Sequence, residues 1–126
     1  METGEQAETP EVLVRYLAAW RALERDQIRS SIDDCLSPDI VWCDPNYLIE
    51  GREAVVEMIV EFHKQVPDAA LALTSAVDAH HGRYRYEWMV SSGGRPLIRG
   101  LDVALVGSDG LIARIDGFFG PLVRVT

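Results

Sequence analysis

The sequence predicts an α+β fold in which three N-terminal helices pack on a curved, mainly antiparallel sheet. Apolar residues recur every three or four positions as far as Phe62, which is the period of buried helix faces. From Leu71 onward the apolar period changes to two, the period of half-buried strands. Turn sequences that contain glycine then separate strand-like runs at spacings suited to hairpins. Helices first and strands afterwards favours helices packed on one face of a sheet.

The first predicted helix begins at Thr9-Pro10-Glu11. Thr9 is a suitable cap, Pro10 suits the first helical position and Glu11 suits the positive end of the helix. Steps of three and four residues then predict one buried stripe along this helix. The stripe consists of Leu13, Tyr16, Leu17, Trp20 and Leu23.

A second, shorter helix and a short strand follow. The helix has the stripe Ile28, Ile32, Cys35 and Leu36, and it is predicted to end at Ser37-Pro38-Asp39, because a residue before proline disfavours helix. Residues 40–43 have the composition of a strand and lead into the turn-forming Asp44-Pro45-Asn46. After Gly51, a third helix carries the stripe Val55, Met58, Ile59 and Phe62 and ends before Pro67-Asp68.

Four strand-like runs make up the predicted sheet. They lie near residues 70–80, 83–92, 96–107 and 111–119, and His81-Gly82, Gly93-Gly94 and Asp109-Gly110 mark the turns between them. We predict a flexible acidic tail over residues 1–8 and a single domain over residues 9–126.

Composition restricts the partners and the compartment. The chain has 126 residues, 48% of them hydrophobic, and a net charge of -8 without a cluster of Lys or Arg, so nucleic acid and anionic membranes are not expected partners. Cys35 and Cys43 lack a metal-ligand spacing and are expected to be free thiols. The polar N-terminus does not have the pattern of a secretion signal, and no run reaches membrane-spanning length, which predicts a cytoplasmic protein.

Four local motifs resemble the nuclear transport factor 2-like (NTF2-like) superfamily, whose fold is also described as cystatin-like. They are Arg15-Tyr16, the run Val41-Trp42-Cys43-Asp44-Pro45 followed by Gly51, the run Gly100-Leu101-Asp102-Val103, and Asp109-Gly110-Leu111-Ile112 leading to Gly117-Phe118-Phe119-Gly120. The resemblance covers about residues 10 to 120. It implies a cone-shaped fold with an apolar pocket between sheet and helix, and a homodimer formed through the outer face of the sheet.

The superfamily includes SnoaL-type polyketide cyclases, ketosteroid isomerases and limonene epoxide hydrolases, as well as non-catalytic binding modules. In ketosteroid isomerases a tyrosine of the first helix and a protonated aspartic acid of a late strand stabilise an oxyanion, and an aspartate before proline moves the proton. Tyr16, Asp102 and Asp44 resemble these three positions. The resemblance therefore implies that Tyr16, Asp44 and Asp102 are catalytic.

The residues themselves leave alternatives open. Strand alternation places Asp102 on one face with Gly100 and Ala104, where burial would raise its pKa, but Asp102 could instead pair with Arg99 or Arg114. Asp44 suits a general base at a pocket mouth, and it equally suits a turn in which its side chain caps backbone amides. Tyr16 suits either catalysis or core packing with a satisfied hydroxyl.

Several aromatic and flexible apolar side chains are predicted to bind a flat or polycyclic apolar substrate, although plain core packing is the alternative for each. A third reading, epoxide opening by an activated water, would require Arg99 and a carboxylate to converge, and Asp116 could add a further carboxylate. No pattern in the sequence predicts a metal or a cofactor. The predicted substrate-binding residues are Trp20, Trp42, Met58, Phe62, Trp88 and Phe118.

The function predicted from these residues is cofactor-independent proton transfer next to a carbonyl of a small apolar molecule, as in an isomerase or a cyclase. Asp44 would be the base, and Tyr16 with neutral Asp102 would stabilise the enolate. The alternative is a non-catalytic module for ligand binding or dimerisation, in which the carboxylates of the pocket are solvated or paired with arginine.

Overall fold

The computed structural model describes residues 9–125, so the predicted acidic tail, residues 1–8, lies outside the described residues. Within them the chain forms three helices and seven strands. The helices are α1 (Glu11–Arg21), α2 (Arg25–Cys35) and α3 (Arg52–Gln65). The strands are β1 (Leu36–Cys43), β2 (Leu48–Glu50), β3 (Ala69–Leu73), β4 (Asp78–His80), β5 (Arg83–Ser92), β6 (Arg95–Val106) and β7 (Ile112–Phe119).

The strands form one curved sheet in the order β2-β1-β7-β6-β5-β3, and β4 also pairs with β5. All pairings are antiparallel except that of β1 with β7, which is parallel. Strands β7 and β6 form the centre of the sheet, and the long β5 pairs with β6 on one side. The α+β class with N-terminal helices and a mainly antiparallel sheet is confirmed.

The core lies between the helices and the concave face of the sheet. The predicted stripes supply most of it, and Leu13 of α1, Ile28 and Ile32 of α2 and Ile59 of α3 are all at most 1% exposed. Ile115 of β7 is equally buried on the facing side of the sheet. Burying each side chain of this size stabilises the fold by roughly 1.5 to 3 kcal/mol. Leu23 was wrongly assigned to the stripe of α1, because it lies beyond the end of that helix and is 66% exposed. Between residues 9 and 125, no helix is long and apolar enough to cross a membrane.

Two predicted boundaries were wrong at the ends of helices. Pro10 is the N-cap of α1 rather than its first residue, and no side chain caps the helix, so Thr9 does not have the predicted role. Helix α2 stops at Cys35, and β1 begins at Leu36, four residues before the predicted strand. Pro38 is tolerated inside β1 because the register with β7 shifts between Leu36 and Val41, where regular pairing is interrupted.

Two short strands differ from the prediction. The run predicted near residues 70–80 is divided into β3 and β4, which both pair with β5. The three-residue β2 was not predicted, since a strand of this length shows no period in the sequence. Strand β2 pairs with the end of β1 and so returns the chain across the Asp44 turn to Gly51, where α3 begins. This return fixes the position of Asp44 beside the cavity described next.

Candidate functional site

A cavity of about 250 Å³ lies between α1, α3 and the concave face of the sheet. Most of its wall is apolar or aromatic, and its polar side chains come from few positions. All three tryptophans of the chain, Trp20, Trp42 and Trp88, line it. Trp20 packs edge to face against Phe62 at a ring-centroid distance of 5.6 Å, and Trp88 packs in the same way against Phe119 at 6.1 Å. The cavity is therefore a cleft between two aromatic clusters.

Asp102 is the carboxyl that β6 presents to this cavity. Its Oδ1 accepts a hydrogen bond of 3.0 Å from Trp88 Nε1, and its Oδ2 accepts one of 3.2 Å from the Tyr86 hydroxyl. Tyr86 lies directly opposite Asp102 in the β5–β6 ladder, and Trp88 lies opposite Gly100. The register of two neighbouring strands thus brings both donors to one carboxyl.

Two glycines make space for this arrangement. A Cβ atom on Gly117 of β7, which pairs with Asp102, would lie 2.7 Å from Asp102 Oδ1. A Cβ atom on Gly100 would lie 2.5 Å from the Trp88 ring. Both distances are shorter than real Cβ contacts allow. Any larger residue at either position would displace the carboxyl or the indole that holds it.

The protonation of Asp102 is shifted by its surroundings. Burial raises the pKa of Asp102 from 3.8 to about 6, the hydrogen bonds from Trp88 and Tyr86 oppose this shift, and the charge of Asp44 adds to it. A carboxyl with this pKa can both take up and release a proton near neutral pH, which is the property required of a general acid or base. The alternative left open by the sequence, a pairing of Asp102 with Arg99 or Arg114, is wrong, because neither arginine forms a hydrogen bond or an ion pair with it.

Tyr16 lies at the closed side of the cavity and is 1% exposed. Its hydroxyl oxygen accepts a hydrogen bond of 2.9 Å from Trp42 Nε1, so its own proton remains to be donated. Burial, and next the negative charge of Asp102, raise the pKa of Tyr16 well above its usual value. The same two causes raise the pKa of Tyr86. Both phenols therefore keep their protons and act as donors.

Asp44 makes the contacts of the turn interpretation and also lies at the cavity. Its Oδ1 accepts hydrogen bonds from the backbone amides of Asn46, at 2.8 Å, and Tyr47, at 2.9 Å, as expected of a turn. Asp44 also lines the cavity, and its Cβ lies 3.6 Å from the point where Gly117 would carry a Cβ. Gly117 is therefore flanked by both carboxyl residues of the candidate site.

Two of the other residues considered from the sequence, Arg99 and Asp116, lie away from the cavity. Arg99 is exposed and alternates with Asp102 along β6, so the two side chains leave opposite faces of the sheet. This placement contradicts the convergence that the epoxide-opening reading requires. Asp116 accepts a hydrogen bond of 2.9 Å from Arg114 Nε and does not line the cavity.

Phe118 was the one wrong assignment among the predicted lining residues. It is 63% exposed, whereas Phe119 lines the cavity. The register explains the difference, because Gly117 pairs with the inward Asp102 and alternation then points Phe118 outward and Phe119 inward. The other predicted residues do line the cavity: Trp20, Trp42, Met58, Phe62 and Trp88.

Tyr86 is the residue of this site that the sequence analysis missed. The alternation of Tyr84, Tyr86 and Trp88 on β5 indicated that Tyr86 faces the same side as Trp88. The sequence did not reveal the register between β5 and β6, which decides that Tyr86 lies opposite Asp102. Among residues 9–125, no three His, Cys, Asp or Glu side chains converge in a way that could hold a metal ion.

The fold and the sequence can now be compared with known proteins. A proposed isomerase of the SnoaL-like family from Agrobacterium tumefaciens matches with a TM-score of 0.82 and 24% identity, over 87% of this chain and 95% of that one. A proposed polyketide cyclase from Sinorhizobium meliloti matches with a TM-score of 0.71 and 19% identity, over 86% and 94%. A de novo designed protein with a curved β-sheet matches with a TM-score of 0.68 and 22% identity, over 88% and 84%.

These similarities define the class first: the fold is that of the cystatin-like and NTF2-like proteins, as the sequence motifs predicted. The family follows from the sequence, because the SnoaL-like domain matches residues 13–115. The chain therefore belongs to the SnoaL-like family. Among curated proteins, none matches the sequence at a significant level.

Proposed function

We propose that this protein is a cofactor-independent enzyme that moves a proton next to a carbonyl group of a small apolar molecule, as an isomerase or a cyclase does. The observation that carries the proposal is Asp102, a carboxyl with a pKa raised to about 6 inside an aromatic cavity. Perturbed carboxyls of this kind are typical of proton-transfer sites. Two proteins of similar fold are described as a proposed isomerase and a proposed polyketide cyclase.

We assign the base to Asp102 rather than to Asp44. Two donors, Trp88 and Tyr86, hold both oxygens of Asp102, and such bonds favour the ionised form that a base needs. At pH values above about 6 Asp102 is mainly ionised and can remove a proton from the carbon next to a bound carbonyl. Asp44 has one oxygen held by two turn amides and contributes mainly its charge, which adds to the basicity of Asp102.

Tyr16 supplies the complementary group. Removal of the proton leaves negative charge on the carbonyl oxygen, and a preorganised donor in a site with little water stabilises that charge strongly. The Tyr16 hydroxyl is oriented by Trp42 and has a proton to donate. The proton on Asp102 then returns to another carbon in an isomerase. In a cyclase the enolate attacks a second carbonyl carbon, and the proton passes to the oxygen formed there.

The environment of Asp102 favours an enzyme over the alternative, a non-catalytic module. Such a module would have cavity carboxylates that are solvated or paired with arginine. Asp102 is instead desolvated and bonded to two aromatic donors. Maintaining a carboxyl there costs stability, since burial disfavours its charged form, and a binding role alone would not require it.

The test is deuterium exchange at the carbon next to the carbonyl of bicyclic and polycyclic ketones, followed by NMR between pH 4.5 and 8.5. If Asp102 is the base, the exchange rate rises with pH to a plateau, with a midpoint near 6. If Asp102 must instead be protonated, as the neutral donor that the sequence predicted, the rate falls through the same midpoint. Asp102→Asn should reduce the rate by about 10²-fold to 10⁴-fold, the usual contribution of a general base.

Asp116→Asn is the matched control, because it removes a carboxylate from β7 outside the cavity. It should leave the exchange rate unchanged. If exchange persists in Asp102→Asn but is lost in Asp44→Asn, the general base is Asp44 and not Asp102. If no enolisable ketone exchanges above the rate in buffer, the enzyme proposal fails and the binding module becomes the better account.

A further inference from the structure

The charges around the cavity are all of one sign. Its lining includes three carboxylate residues, Asp44, Glu61 and Asp102. None of the residues that line it is Arg, Lys or His, so among the residues that the structure describes no cationic side chain faces a ligand there. This imbalance is not a consequence of composition alone, because the chain has twelve Lys and Arg residues.

Three basic side chains outside the lining bond to backbone carbonyls. Arg21 donates to the carbonyl of Leu71, and Arg52 donates to the carbonyl of Leu36. The His63 ring bonds to the carbonyl of Trp20 at 2.8 Å. Each of these groups satisfies a backbone acceptor, and none of them supplies the cavity with a counter-charge for an anion.

Two energetic costs would therefore disfavour binding of an anion. It would lose its hydration in an apolar site, and it would lie near the negative charges of Asp102 and Asp44 without a cation to offset them. Two of the donors in the lining, Trp88 and Tyr86, already donate to Asp102, so they do not offset the charge of an anion. An uncharged carbonyl needs only the Tyr16 proton and avoids both costs.

We propose that the cavity selects its ligand by charge, accepting uncharged ketones, esters and similar molecules and rejecting carboxylates and phosphates of the same shape. The inference deepens the proposed function, and it rests on that function only in taking this cavity as the substrate site. A cationic ligand is accepted as well, since it meets carboxylates and aromatic faces. It acts as an inhibitor rather than a substrate, because an ammonium group beside Asp102 would compete for the base.

The experiment uses three compact probes without an aromatic ring, which absorb weakly or not at all at the tryptophan excitation wavelength: 1-adamantyl methyl ketone, 1-adamantanecarboxylate and 1-adamantylammonium, each titrated at pH 8. Emission from Trp20, Trp42 and Trp88 reports binding, since these are the only tryptophans and all line the cavity. The ketone and the ammonium should each bind at least about tenfold more tightly than the carboxylate, which corresponds to a free energy of about 1.4 kcal/mol. A carboxylate that binds as tightly as the ketone overturns the proposal, and so does a ketone that does not bind.

Variants locate the source of the selection. Asp102→Asn should reduce the ratio of the affinities for ketone and carboxylate at least threefold. Asp116→Asn, on the outer face, should leave this ratio unchanged. If Asp102→Asn does not fold, Glu61→Gln, at an exposed position of α3, replaces it and should also reduce the difference in affinity between ketone and carboxylate. If this ratio of affinities is the same in wild type and in the folded cavity variant, these carboxylates are not the source of the charge selection.

The result is separable from the test of the proposed function. A protein that prefers the ketone to the acid but exchanges no deuterium retains charge selection and loses the proposed reaction. A protein that exchanges deuterium but binds the acid as well as the ketone retains the reaction and loses charge selection.

Discussion

Two carboxyl groups at adjacent positions of the same strand ladder have different surroundings. Asp102 of β6 pairs with Gly117, and the next pair along the ladder joins Val103 with Asp116 of β7, so the two carboxyls leave opposite faces of the sheet. Asp116 bonds to Arg114, whereas Asp102 is bonded by two neutral aromatic donors. A single step along the ladder therefore separates a surface ion pair from a titratable group in a cavity.

The largest expected difference is in how stability depends on pH. Below pH 3.8 Asp102 is protonated in both the folded and the unfolded chain. As pH rises from 3.8 to about 6, the unfolded chain releases this proton first, so the folded chain loses stability. Relative to Asp102→Asn, the free energy of unfolding of the wild type should fall by about 3 kcal/mol between pH 3.5 and 7.5.

Urea unfolding of both proteins at the two pH values measures this difference. Asp116→Asn, compared with wild type in the same way, should show a much smaller change, because its partner Arg114 is exposed. Equal pH dependence in wild type and Asp102→Asn would mean that burial does not raise the pKa of Asp102.

The second prediction concerns the space that Gly117 provides. Gly117→Ala should destabilise the fold by about 1 to 3 kcal/mol, the usual cost of overpacking, because the new methyl group meets Asp102 Oδ1 at 2.7 Å. Deuterium exchange should fall at least tenfold at a temperature where the variant is folded, since the carboxyl is displaced. Gly107→Ala is the control, because its Cβ would meet the end of the Asp109 side chain at 3.2 Å and the Leu111 carbonyl oxygen at an ordinary 3.8 Å, both away from the cavity. Normal exchange in Gly117→Ala would show that the carboxyl can move without loss of function.

The third prediction separates the donors of the site. Trp88→Phe removes a donor to Asp102, so the pKa of Asp102 should rise and the midpoint of the exchange profile should move upward by about one pH unit. Trp42→Phe is matched in size and removes a donor to Tyr16 instead. It should lower the plateau rate without moving the midpoint. Identical shifts in the two variants would contradict a specific bond between Trp88 and Asp102.

The smallest effect is expected on the outer face. Arg114→Gln breaks the bond to Asp116, and it should change the exchange rate by less than about twofold, because surface ion pairs contribute little and this one is remote from the cavity. A larger change would mean that the outer face influences the cavity, for example through the homodimer that the resemblance to the NTF2-like superfamily implies for that face. Sedimentation of wild type and variant at several concentrations would then show whether association had changed.

The parts of the fold that the sequence predicted are those with repeated local signals. Several apolar residues of α1 recur at the helical period. Turn glycines such as Gly82 and Gly110 adopt positive φ angles, as turns require. The missed features depend on contacts between distant segments. Strand β2 exists because β1 offers it a partner, and β1 extends back to Leu36 because β7 pairs with it there.

The candidate site shows the same limit. Sequence motifs and resemblance indicated Tyr16, Asp44 and Asp102, and all three line one cavity. The partners of Asp102 could not be predicted, because a shift of one residue in the β5–β6 register would place a different residue opposite it. The misplacement of Phe118 has the same origin in the β6–β7 register.

Gly117 has a consequence for reading other sequences of this fold. A glycine that pairs with an acidic residue on the neighbouring strand leaves space for the carboxyl group, because a side chain there would collide with it. Both residues can be recognised without a structure once the strands are aligned. Related chains that keep the glycine together with the acid are candidates for the same chemistry. Chains that carry a larger residue at this position are expected to lack this chemistry, even where they retain every polar residue of the site.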